Sequence, residues 1–135
     1  MPLLQLTSLA KAVERLDEGL ERYRRDTSDG QIRDGLIQRF EFTYELCHRM
    51  LRRYLELTAA SRETIETMAF QDLIRTGNEL ALLEGDWPRW RVYREMRSIT
   101  SHSYDEAKAL QVVAIIPGFL REARFLLARL LERPT

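Results

Sequence analysis

Lysine is nearly missing from this chain: Lys11 and Lys108 are the only two among 21 basic residues, so positive charge here means arginine. Cysteine occurs once, as Cys47, which excludes an intrachain disulfide and a thiolate metal cluster. A lone cysteine on an apolar helix face reads as a small buried hydrophobe. The six glycines are scattered, without the spacing of a phosphate-binding loop, and no Gly-x-Ser-x-Gly nucleophile elbow occurs. No apolar run approaches the length of a membrane span, and no membrane association is expected. The first residues lack the basic-then-apolar order of a secretory signal, so a cytoplasmic location is expected. Excess charge of either sign is absent too. With 21 basic and 21 acidic residues the formal net charge is zero, which argues against a protein that coats nucleic acid and against DNA as a partner.

What remains is a chain of 135 residues, 44% hydrophobic and 31% charged, long enough to bury a core and short enough for a single domain over 1–135. No strand-like alternation, internal repeat or low-complexity linker interrupts it. Helical spacing dominates. Leu9, Val13, Leu16, Leu20 and Tyr23 recur at steps of three and four, with Thr7 or Ser8 as the expected cap. Asp26 to Gly30 reads as a loop. Ser28 and Gln31 have capping-box spacing for a second helix running to about Leu57. Ile32, Leu36, Phe40, Tyr44, Cys47, Leu51 and Tyr54 are its main stripe, and Ile37, Phe42, Leu46 and Met50 widen it, as expected of a helix that is central to a bundle or that faces both the bundle and a second subunit. Its polar stripe is Asp34, Gln38, Glu41, Glu45, His48 and Arg52.

Ser61 is expected to cap a third, shorter helix through Ile65, Met68, Ala69 and Leu73, ending near Gly77. Asn78 to Asp86 fits either a helical turn or a packed loop. Pro88 suits the first turn of a fourth helix with Trp90, Tyr93, Met96 and Arg97. Asp105 is the expected cap of a fifth, which Pro117-Gly118 should kink or split. The architecture predicted is an all-α, roughly antiparallel bundle of four or five helices.

Two constellations carry candidate chemistry. Glu45-x-x-His48 has the spacing of a di-iron bundle, but such a site needs that motif twice with two more glutamates. No metal and no cofactor are therefore expected, and an intrahelical Glu45–His48 contact on a solvated face is the preferred reading. Trp87 and Trp90 are read as partly buried anchors of the fourth helix rather than as a base-stacking platform. The other constellation is Arg97-Ser98-Ile99-Thr100-Ser101-His102-Ser103-Tyr104, at the junction of two helical patterns. Arginine can grip a phosphate with a fork of donors, and histidine can trade protons near neutral pH. Together they suggest phosphodiester chemistry without a metal. The bland alternative is that Arg97 and His102 tie helix ends together, with Arg97 on backbone carbonyls or on an acid such as Asp105.

Asp34-Gly35-Leu36-Ile37-Gln38-Arg39-Phe40-Glu41-Phe42-Thr43-Tyr44-Glu45-Leu46 resembles the signature helix of the nucleotidyltransferase substrate-binding proteins. The segment Arg97 to Asp105 resembles their second signature: arginine, a polar residue, three more residues, histidine, any residue, tyrosine. Arg97, His102 and Tyr104 match, whereas Ser98 stands where asparagine or aspartate is usual. These proteins belong to the HEPN superfamily (higher eukaryotes and prokaryotes nucleotide-binding) and are typically encoded beside a minimal nucleotidyltransferase. The resemblance spans nearly the whole chain and implies a homodimeric helical bundle with the motifs facing a cleft at the interface. It also implies one of two activities. In the first, the protein is a metal-independent ribonuclease toxin with Arg97 and His102 as catalytic residues, supported by Ser98 and silenced when the partner attaches AMP to Tyr104. In the second, it is the non-catalytic nucleotide- or substrate-binding subunit of a two-protein nucleotidyltransferase.

Overall fold

The computed structural model describes residues 4–133. The expected lead-in Met1–Gln5 and tail Arg133–Thr135 thus fall partly outside the described residues. Six α-helices and one 3₁₀ turn account for most of what is described: α1 (Thr7–Arg25), α2 (Gly30–Thr58), α3 (Arg62–Glu66), α4 (Phe70–Glu79), α5 (Trp87–Ile99), the turn Thr100–His102, and α6 (Glu106–Glu132). The all-α bundle is the architecture expected, and its direction can be read from pairs of touching residues. Arg39 reaches the Arg15 carbonyl and Thr43 that of Ala12, so α1 and α2 are antiparallel. Glu41 meets Thr100 and Glu45 meets Arg97, so α2 and α5 are antiparallel. Trp90 meets Glu122 and Tyr93 packs edge-on to Phe119, so α5 and α6 are antiparallel too. Helices α1, α2, α5 and α6 form an up-down-up-down bundle, with α3 and α4 as a crossover between its second and third members.

The core is the merged apolar stripe of these helices, with Leu9, Leu16, Leu36, Phe40, Leu51, Trp90, Ile116 and Phe119 fully buried. Its centre is aromatic. Phe40 meets Phe119 edge-on at 5.0 Å, and Trp90 and Tyr93 do the same at 5.4 Å. Cys47 lies in this core, as its position on the stripe predicts. Trp90 is buried completely rather than partly.

Several local expectations are corrected. Helix α1 starts at Thr7 after Leu6, with neither Thr7 nor Ser8 capping it. The cap of α2 is Asp29, whose carboxylate accepts from the Gln31 and Ile32 amides; Ser28 is already bonded to Asp26. Ser61 and Asp105 do cap, on Thr64 and Lys108 respectively. The single third helix is two, because Ile65 and Phe70 must both reach the core. Five residues apart, they would sit about 140° apart on an unbroken helix. Gly77 does not end α4. It lies inside the helix, where a Cβ would come within 2.8 Å of the Leu83 side chain. The helix ends instead in a Schellman closure, with the Leu82 amide donating to the Gly77 carbonyl and the Ala81 amide to Asn78. That closure forces Ala81 to φ 59°, where glycine is usual. Of the segment Asn78 to Asp86, the first two residues finish α4 and Leu80 to Asp86 is a packed loop, with Leu82 and Leu83 buried. Helix α6 runs unsplit through Pro117.

Candidate functional site

Helix α5 delivers Arg97 to the face of α2. The Arg97 Nε donates to Glu45 Oε1 at 2.7 Å, and Nη1 lies 3.5 Å from Glu41 Oε2. Thr100, buried at the start of the 3₁₀ turn, sits between the pair, its hydroxyl 2.6 Å from Glu41 Oε2 and 3.5 Å from Arg97 Nη1. The same hydroxyl is 2.8 Å from the Arg97 carbonyl, but one proton serves one acceptor, and the shorter, charged one should take it. Two carboxylates one helical turn apart thus engage two of the three guanidinium nitrogens. Nη2 has no partner among the described residues.

The 3₁₀ turn then carries His102 outward. Its Nδ1 lies 3.4 Å from the Tyr104 hydroxyl, which can donate to it. Tyr104 is 84% exposed, the most exposed large hydrophobic side chain described. Ser98 is exposed on the last turn of α5. Arg97, Ser98, His102 and Tyr104 therefore share one corner of the bundle, where α5 turns into α6. Arg97 is anchored to α2, and His102 and Tyr104 face water. Arg97 takes neither carbonyls nor Asp105, the partners considered from sequence.

The expected Glu45–His48 contact is absent. Glu45 is turned to Arg97, while the His48 ring packs edge-on to Phe70 at 4.8 Å with its Nε2 3.5 Å from Arg52. Burial, then the Arg52 charge, hold His48 below the ordinary histidine range, so it is neutral at pH 7. Burial also pushes the Tyr44 phenol up to about 12. Among the described residues no group of three or more His, Cys, Asp or Glu side chains converges as a metal would require.

Residues 4–132 match the family described as "nucleotidyltransferase substrate binding protein like". The chain belongs to this family. Its relatives include a protein of Haemophilus influenzae called "probable ribonuclease HepT", 44% identical over 99 residues, which are 73% of this chain and 67% of that protein. Among solved structures, HI0074 of Haemophilus influenzae superposes with a TM-score of 0.87 at 36% identity, covering 93% of this chain and 98% of that one. It is described as revealing the fold of a substrate-binding domain of a nucleotidyltransferase. A protein of Thermus thermophilus superposes with a TM-score of 0.70 at 29% identity over 90% of this chain and 98% of its own. In this family member, Glu41, Glu45 and Thr100 are the site residues that sequence reasoning did not assign. Their signal was present: two carboxylates at i, i+4 on an otherwise wide apolar helix, inside the stretch that resembles the family signature.

Proposed function

We propose that this protein is the HEPN component of a two-gene toxin–antitoxin module with a minimal nucleotidyltransferase, acting as a homodimeric, metal-independent ribonuclease. The observation that carries this reading is Arg97, held at Nε and Nη1 by α2 with Nη2 left free among the described residues, at the corner that exposes His102. A preorganised guanidinium can meet the charge that builds on a phosphate as the ribose 2′-oxygen attacks it. His102 takes the 2′-OH proton or gives one to the departing 5′-oxygen, help worth roughly 10²–10⁴ in rate. Tyr104 is open enough to be modified. Its phenolic oxygen would attack the α-phosphorus of ATP held by the transferase, forming an O–P bond and releasing pyrophosphate. The added phosphate and bulk would stand beside His102 and repel RNA.

The dimer is supported by α2. Phe42 is 59% exposed and borders a groove of about 430 Å³ lined by Ala12, Arg15, Gly35, Gln38 and Arg39. Phe42 sits about 100° around the helix from Glu41, so a second copy covering it would bring the two Arg97 corners to the rim of the interface.

One observation favours the second reading, a substrate- or nucleotide-binding subunit without chemistry of its own. Arg97 is matched by two carboxylates, so the clamp as a whole is not positive. The experiment that separates the readings is cleavage of single-stranded RNA by the dimer and by its Arg97→Ala and His102→Ala variants. Loss of cleavage in both, with helicity and mass intact, supports the ribonuclease; retained cleavage in both refutes the assignment. Incubation with the neighbouring nucleotidyltransferase and ATP, with Tyr104→Phe as control, then tests the modification by intact mass.

A further inference from the structure

Helix α2 changes character along its exposed side. The first half mixes Asp34, Glu41 and Glu45 with Arg33 and Arg39; Arg33 pairs with Asp34 and Glu106, Arg39 is tied to the Arg15 carbonyl, and Glu41 and Glu45 are engaged by Arg97 and Thr100. The second half carries Arg49, Arg52 and Arg53, and here the carboxylates are engaged elsewhere. Arg62 of α3 takes Glu56 at 3.1 Å and Glu66 at 2.9 Å. Arg49, Arg52 and Arg53 are left without an ion pair among the described residues. With Arg62, Glu56 and Leu57 they line a hollow of about 180 Å³. Its floor is fixed, because Arg52 Nη1 donates to the Ile65 carbonyl at 3.0 Å. Arg49 and Arg53 are exposed one turn apart and free to reach a ligand.

The hollow is not isolated from the corner that holds His102. Arg94, one turn before Arg97 on α5, lies over the Phe70 ring at 4.8 Å, and that ring touches His48 at 4.8 Å. Arg94 and Arg52 thus flank the Phe70–His48 pair, which lies between the Arg97 corner and the hollow. Along α2, Arg49 to Arg53 lie roughly 6–12 Å beyond Glu45. That distance is of the order of the spacing between neighbouring phosphates in a single strand. Unpaired arginines in a neutral protein point to an anionic ligand, and the planar fork of each can hold two oxygens of one phosphate.

We propose that the hollow formed by Arg49, Arg52 and Arg53 is a phosphodiester-binding subsite that holds single-stranded RNA one or two phosphates away from the bond presented to His102. This rests on the ribonuclease reading for its substrate, and it adds a strand path that the motif does not contain. The test uses the full-length protein and a 2′-O-methyl oligoribonucleotide, which binds but cannot be cleaved, with affinity followed by fluorescence anisotropy across a salt series. Arg49→Gln/Arg53→Gln should weaken binding about tenfold at low salt and reduce the slope of log K against log salt by about 1.4, since each lost phosphate contact on a single strand is worth about 0.7. Arg49→Lys/Arg53→Lys should keep the slope. With a cleavable strand, the glutamine pair should raise KM more than it lowers kcat. Affinity and slope equal to wild type in the glutamine pair would overturn the subsite. So would an unchanged RNA affinity combined with loss of the nucleotidyltransferase complex, which would assign the hollow to an acidic face of that partner. A reduced slope in a protein that never cleaves RNA would retain the subsite and refute the ribonuclease. No RNA binding by wild type would overturn both.

Discussion

Glu45→Gln probes the clamp on Arg97 with the smallest available change. It keeps side-chain length and one acceptor oxygen but removes the charge 2.7 Å from Arg97 Nε. The two side chains are 32% and 45% exposed, so water screens the pair and its contribution to folding is about 1 kcal/mol or less. The melting temperature should fall by no more than about 4 °C for a domain of this length. On the proposed ribonuclease reading, two opposed effects act on RNA cleavage. Removing a negative charge roughly 6 Å from the bound phosphate relieves about 1 kcal/mol of repulsion at the high effective dielectric of a half-exposed site, so KM should fall up to about fivefold. Loosening Arg97 misplaces the group that meets the transition-state charge, so kcat should fall about tenfold, or about 1.4 kcal/mol. Initial rates over a range of oligonucleotide concentrations separate the two constants, and a thermal melt by circular dichroism checks the fold. A kcat within twofold of wild type would refute the reasoning, because Glu45 would then only neutralise Arg97.

Glu122, 3% exposed, accepts from the Glu84 and Gly85 amides and from Trp90 Nε1 at 2.9, 2.6 and 3.0 Å. Glu122→Ala should cost about 2–4 kcal/mol in urea unfolding, because the two amides can turn to water but the buried indole N–H cannot. Ala81→Gly should raise the melting temperature by about 3–4 °C, since it relieves about 1 kcal/mol of left-handed strain at the α4 closure. His48 titrates below its ordinary value in the fold, so the unfolded chain takes up a proton first as pH falls. Its contribution is therefore full above the unfolded pKa of about 6.5 and is lost as pH falls below it, and His48→Gln should flatten that acid limb of a stability-against-pH curve.

The bundle was legible because four long helices each carry an apolar stripe at helical spacing, and packing such stripes leaves few alternatives. The crossover was not, because Ile65 and Phe70 are out of helical phase and only the shape of the core tells which of them must yield. Gly77 misled for a related reason. Close packing on Leu83 and a left-handed turn both select glycine, and sequence alone cannot separate them. At the site, Arg97, His102 and Tyr104 stand within eight residues and were visible as a cluster. Their anchors lie on another helix, 52 residues from Arg97 for Glu45 and 59 from Thr100 for Glu41. The local partner of Glu45, His48, lost to a charged donor that only the fold brings near. Glu122 had a readable signal, an acid on the apolar stripe of Phe119, Ala123 and Leu126. Such a residue is buried with partners or it is not buried at all.

Transesterifying cleavage moves two protons, one from the attacking 2′-OH and one to the leaving 5′-oxygen. One chain offers a single exposed histidine for this, because its other, His48, is turned into the wall against Phe70. In the proposed ribonuclease, the second proton transfer would fall to Tyr104 beside His102 or to the His102 of another copy. Subunit mixing distinguishes these routes. If each site is complete within one chain, mixing wild type with an equal amount of His102→Ala should leave about half the specific activity. If the site combines both copies of a two-fold dimer, activity follows the fraction of wild-type pairs, about one quarter after random exchange. A proportional loss would remove the second histidine from the proposed mechanism and give its role to Tyr104. A quadratic loss would give the second copy both the missing proton donor and the cover over a motif that stands open to water in one chain.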